Sequence, residues 1–135
     1  MLASTAFVST PFINPMIDPA QVVSIHPYFK VHPGKLEAFK ALLPEMIAKA
    51  AAEPGNLYYG FTVCDDVVFC REAYAGAEAL LLHVASVDPI IQRALQIADL
   101  VRVEVHGAAG ELAKLKEPLA PLQPSWFVFQ AGVRR

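Results

Sequence analysis

The chain has 135 residues, of which 55% are hydrophobic and 18% charged, with a formal charge of −2; that is enough for one domain with a real core, and more apolar surface than one small subunit easily hides. No basic patch marks a nucleic-acid partner, since Arg134 and Arg135 are the sole clustered cations, and no apolar run approaches the ~20 residues that span a bilayer. Met1 to Gln21 has no Lys or Arg to start a signal peptide, so the sequence reads as cytoplasmic, with neither membrane nor nucleic acid among its partners.

Residues 1–20 show no sustained period and carry Pro11, Pro15 and Pro19, the pattern of an extended arm. Gln21 to Val31 alternates as a strand, with Val23, Ile25, Pro27, Phe29 and Val31 on one side; Pro27 removes a ladder donor and predicts a bulge or an unpaired stretch. After His32-Pro33-Gly34, Leu36, Phe39, Leu43, Met46, Ile47 and Ala50 follow helical spacing, with a kink expected over 40–44 because Pro44 falls inside the pattern. Glu53-Pro54-Gly55 stops the helix. Asn56 to Cys64 and Val67 to Tyr74 then form a hairpin across Asp65-Asp66. A two-residue loop pairs Cys70 with Phe61, sends Cys64 and Cys70 to opposite faces, and disfavours a disulfide between them, as befits a reducing compartment. One face of the hairpin carries Tyr59, Phe61, Val63, Val68, Cys70 and Glu72, the other Tyr58, Thr62, Cys64, Val67, Phe69 and Arg71. Both are largely apolar, and one layer of helices covers only one.

Glu78 to Ser86 reads as a helix with His83 on its apolar stripe, one turn after Ala79 and Leu80, so a buried imidazole is expected. Asp88-Pro89 reads as the cap and first turn of a separate short helix through Ile97. Leu100 to Gly107 alternates with Val101, Val103 and Val105 inward and Arg102, Glu104 and His106 outward, a fourth strand expected at an edge. Gly107 to Lys116 is helical or a single turn, Pro118 to Pro124 a connector, and Trp126 to Ala131 a fifth strand that wants an open edge, expected to be the neighbouring subunit's. The domains are thus an arm over 1–20, a domain over 21–108 and a C-terminal helix, connector and strand over 109–135. The order β-α-β-β-α-β belongs to a ferredoxin-like α+β fold with two helices on one face of an antiparallel sheet. Two such sheets face to face would bury the remaining apolar side, predicting a homodimer.

The strand-to-helix unit places Glu72, Tyr74 and His83 within one short segment. Around it, Val31-His32-Pro33-Gly34, Glu53-Pro54-Gly55-Asn56-Leu57-Tyr58-Tyr59, Glu72-Ala73-Tyr74, and Ala79-Leu80 through His83 with Ser86 resemble the antibiotic biosynthesis monooxygenase domain over residues 21 to 108. That family belongs to the dimeric α+β barrels and includes quinol monooxygenases. This chain departs from it at Tyr74, where Trp is usual, and at Val87-Asp88, where a second His often follows the serine. The resemblance implies oxygenation of a small electron-rich aromatic such as a quinol, phenol or anthrone by molecular oxygen with no cofactor. Consistent with that, the chain has no glycine-rich dinucleotide fingerprint and no metal-ligand spacing among its four scattered histidines.

In that reading His83 is the base or anion partner and Glu72 orients it; Tyr59, Tyr74 and Trp126 form polar-tipped pocket walls, and Asn56 and His26 are further contacts to substrate. Each residue also has a plainer role. His83 would be a core histidine bonded to a carbonyl, Glu72 half of an ion pair, and the tyrosines packing. Two alternatives to catalysis use the same cavity: a non-catalytic holder of an apolar ligand, of the stress-response type, and a haem binder through His83, His26 or His106.

Overall fold

The computed structural model describes residues 18–133, so most of the arm expected over 1–20 lies outside the described residues. The elements are β1 (Val23–Val31), α1 (Leu36–Lys40), α2 (Leu43–Ala51), β2 (Asn56–Cys64), β3 (Val67–Tyr74), α3 (Ala77–Ala94), β4 (Ala98–Gly107), α4 (Ala109–Leu115), a 3-10 turn (Ala120–Leu122) and β5 (Ser125–Val128). They form one five-stranded sheet in the order β2-β3-β1-β4-β5. The first four strands pair antiparallel, as a ferredoxin-like βαββαβ unit requires.

The hairpin register follows from its turn. Asp65 takes the left-handed conformation (φ 53°), the loop has two residues, and Phe61 faces Cys70 while Tyr59 faces Glu72. Cys70 is therefore buried and Cys64 exposed, both as free thiols. Pro44 divides the first helical run into α1 and α2, standing in the first turn of the second, where a missing N–H costs nothing.

Three local expectations are corrected. Pro89 starts no new helix: α3 runs unbroken through it. Leu80, His83, Val87, Ile90 and Ala94 form one buried stripe at three- and four-residue spacing, and that packing outweighs a single lost backbone bond. Val101 does not point inward, being 59% exposed. The register between β1 and β4 slips between Tyr28 and Phe29, so that Leu100 faces Phe29, Arg102 faces Tyr28, and Val101 is the extra residue of a bulge. Nor is β4 an edge. β5 lies parallel beside it in the same chain, Trp126 opposite Val105, because α4 and the connector supply the long crossover that parallel pairing needs.

All the helices lie over the face carrying Ile25, Phe29, Cys70, Glu72 and Val103. The core divides into a cluster around Val23, Tyr74, Leu80, Val105, Leu112 and Leu115 and another around Phe29, Val31, Phe39, Val68 and Ala94. The opposite face carries His26, Tyr28, Phe69, Arg71, Arg102, Glu104 and His106, and none of the described helices covers it.

Candidate active site

Between the two core clusters, packing is incomplete. A cavity of about 150 Å³ lies between sheet and helices, lined by Tyr59, Phe61, Cys70, Glu72 and His83, among others. Glu72 comes from β3, whose alternation turns Cys70, Glu72 and Tyr74 toward the helices together. His83 comes from the buried stripe of α3. Its helix is fixed at the N-terminus by Glu111 of α4, whose Oε1 accepts the Ala77 N–H at 2.9 Å, a carboxylate placed where the helix dipole favours it.

His83 is 2% and Glu72 5% exposed, and each ring nitrogen of the imidazole faces a carboxylate. Nδ1 is 2.7 Å from Glu53 Oε1, and Nε2 is 3.4 Å from Glu72 Oε1. The shorter contact assigns the Nδ1 hydrogen to Glu53 and leaves Nε2 turned to Glu72 and the cavity. The Tyr74 hydroxyl donates to Glu72 Oε1 at 2.5 Å, and the Tyr59 ring meets His83 edge-on with centroids 5.0 Å apart. Burial pushes the Glu72 carboxyl above the ordinary carboxylate range; the Tyr74 hydrogen bond and the neighbouring His83 oppose the shift without cancelling it. Burial, followed by the nearby Glu72 charge, also raises the phenols of Tyr59 and Tyr74 and the thiol of Cys70, so all three stay protonated at neutral pH. The imidazole thus stands between two carboxylates, and burial lifts that of Glu72 toward its neutral form.

Glu53 is the residue that sequence reasoning missed. Its motif reads as a helix stop, and its partner lies 30 positions later. Gly55 carries the signal that was there to find. A Cβ at that position would lie 2.5 Å from Cβ of Ala79, so only glycine lets the turn close onto α3 one turn before His83 and set Glu53 against the ring.

The remaining nominated residues divide sharply. Tyr59 lines the cavity. Tyr74 is fully buried behind Glu72 and reaches the site through its hydrogen bond to that carboxylate. Trp126 packs on the core cluster next to β4 with the Lys116 ammonium 5.3 Å above its ring, away from the cavity. Asn56 bends its amide back to the Tyr58 carbonyl. His26 points to the opposite face of the sheet, where Ser24 is its partner at 2.9 Å. His26 is on the wrong side of the sheet, while Trp126 and Asn56, opposite Val105 and Tyr74 in the ladder, lie outside the lining of the cavity. Among the described residues no group of three or more His, Cys, Asp or Glu could hold a metal ion, and no helix is long and apolar enough to cross a membrane.

Known proteins share this α+β fold, in which helices cover one face of the sheet and bury Glu72 and His83. MupZ from Pseudomonas fluorescens shares 39% identity over 85% of this chain and 95% of its own, with a TM-score of 0.82. Two structures described provisionally as antibiotic biosynthesis monooxygenases share the fold. The one from Bacteroides thetaiotaomicron has 21% identity, TM-score 0.56, and covers 65% of this chain and 88% of its own. The other, from Chloroflexus aurantiacus, has 19% identity, TM-score 0.53, and covers 62% and 89%. No family model and no curated protein matches the sequence. The chain belongs to the same family as MupZ and has the fold of the structures described provisionally as antibiotic biosynthesis monooxygenases.

Proposed function

We propose that the chain is a cofactor-independent monooxygenase acting on a small electron-rich aromatic alcohol. The observation that carries this reading is the buried Glu72–His83 pair opening into an apolar cavity. His83 Nε2 takes the phenolic proton, and the imidazolium so formed sits against the Glu53 carboxylate. The substrate anion supplies the electrons to oxygen: for a hydroquinone, one oxygen atom enters the ring as a hydroxyl and the other leaves as water, two electron pairs coming from the substrate. Glu72, protonated through burial, is placed to give its proton to the departing oxygen and recover it through His83. The dry walls favour this proton transfer by keeping bulk water from competing. A homodimer joined through the uncovered face of the sheet belongs to the same proposal, since that face exposes Tyr58, Val101 and Phe127.

Oxygen uptake tests it. The protein mixed anaerobically with menadiol and then given oxygen should consume it faster than heat-treated protein does, and His83→Ala should fall to the heat-treated rate while remaining folded. Uptake no faster than the heat-treated control, with ligand still bound, would leave a non-catalytic holder of apolar molecules as the function. Haem is disfavoured at His83, because both ring nitrogens already face carboxylates.

A further inference from the structure

One wall of the cavity comes from outside the βαββαβ unit. The lining is drawn from β1 to β4, from α2 and from α3 with its C-terminal cap, with a single addition: Leu122, in the 3-10 turn beyond α4. Among the described residues no other side chain from beyond β4 reaches the cavity. Exposure shows where on the wall this side chain stands. Glu72 and His83 are buried, whereas Leu122 is 37% exposed, so Leu122 lies where the cavity meets solvent and the reacting groups lie at the closed end.

The turn is held there from both sides. Before it, Leu112, Leu115 and Leu119 are buried in the core cluster that Ala77 and Leu80 of α3 share. After it, β5 pairs with β4 and Trp126 packs on the same cluster. Between these anchors the turn closes on its own backbone: the Leu122 N–H donates to the Leu119 carbonyl at 2.9 Å and the Gln123 N–H to the Ala120 carbonyl at 3.0 Å. Pro121 fixes its own φ within the turn. Gln123 takes the left-handed conformation (φ 51°) as the chain leaves for β5. Few backbone dihedrals are left free, so Leu122 is a preorganised wall, and a molecule too wide for the mouth meets a side chain that yields little.

Resting on the oxygenase reading, we propose that Leu122 is a specificity-determining residue of this site, setting the bulk of the ring system that can lie against His83 and Glu72. It takes no part in proton transfer. The C-terminal segment beyond β4 thereby completes the site that the rest of the fold begins.

The test is anaerobic calorimetric binding of phenol, 2-naphthol and 9-phenanthrol, which needs no turnover. In Leu122→Ala the affinity for 9-phenanthrol relative to phenol should rise about tenfold, the scale on which apolar pockets discriminate by small changes in bulk. In Leu122→Trp the same ratio should fall by a similar factor, with 2-naphthol shifting less in both. Val128→Ala, an exposed β5 position outside the lining, should leave the ratio unchanged. Should Leu122→Ala melt far below the native chain, Leu122→Val should move the ratio the same way by a smaller factor. Ratios within about twofold of native in both the shortened and the Trp variants, an equal shift in Val128→Ala, or failure of all three probes to bind overturns the proposal. A shifted ratio in a protein that consumes no oxygen sinks the oxygenase reading alone, while oxygen consumption with unmoved ratios sinks this one alone.

Discussion

The two faces of the sheet hold nearly the same chemical groups and treat them in opposite ways. On the helix side, Glu72 and His83 are sealed from water beside Tyr59 and Tyr74, and burial lifts the carboxyl toward its neutral form. On the other side, Glu104 is bonded to Arg102 at 2.6 Å and to His106 at 3.2 Å, and the guanidinium foremost holds its carboxyl below the ordinary range. His26, stacked on Phe69 and edge-on to His106, has its pKa lowered by burial first and His106 second. A glutamate, a histidine and aromatic rings therefore do not make a reactive site by themselves. What separates the faces is whether a fixed cation answers the carboxylate and whether water reaches it.

That contrast can be broken, and the largest effect should come from the buried imidazole. His83→Ala should lower turnover by about 10² to 10⁴, read as oxygen consumption, while His106→Ala on the other face changes it less than about twofold; equal losses would erase the distinction. Next in size, Phe69→Asp places a charge in the middle of the uncovered face and should convert a dimer to monomers in sedimentation, with the far-ultraviolet spectrum retained. A native chain already monomeric at micromolar concentration removes the proposed use of that face. Glu53→Gln should reduce kcat about tenfold and move the rising limb of the pH–rate profile, because the imidazolium loses its ionic partner; an unchanged profile would make Glu53 a packing residue.

The smallest effect is on stability against pH, and its sign differs between the faces. Glu72 titrates higher in the folded than in the unfolded chain, so stability falls as pH rises from the unfolded carboxyl range through the folded value. Glu104 titrates lower when folded, so its contribution is present above the unfolded range and lost as pH falls through the folded value. Melting temperatures of Glu72→Gln and Glu104→Gln across pH should therefore flatten opposite limbs of the profile. Both flattening the same limb would show that the pKa directions do not govern stability.

Much of this arrangement was legible in the chain. The two-residue turn at Asp65-Asp66 fixed which hairpin residues share a face, and with it the company of Cys70 and Glu72. Pro44 marked its break. Local rules failed where tertiary packing overrode them: Pro89 was absorbed into α3 by a continuous buried stripe, and a bulge opposite β1 turned Val101 to the surface. Of the site, His83 and Glu72 were visible because strand and helix periods aim them at the same interior. Glu53 was not, since no period links a turn to a helix 30 residues on. Trp126, Asn56 and His26 were nominated by residue type, which says neither which side of the sheet a side chain will occupy, the failure at His26, nor how far along it the cavity extends, the failure at Trp126 and Asn56.

The parallel seating of Ser125–Val128 along β4 also limits what the edges of the sheet offer for pairing. One margin of the sheet is capped by a strand of only four residues, which offers little ladder to a newcomer, so among the described residues Asn56–Cys64 is the long margin left. Pairing of two copies along that margin would be self-terminating, because a two-fold axis between them would use up the long ladder of both. An endless ribbon would need a second long margin, and the four residues of β5 take it away.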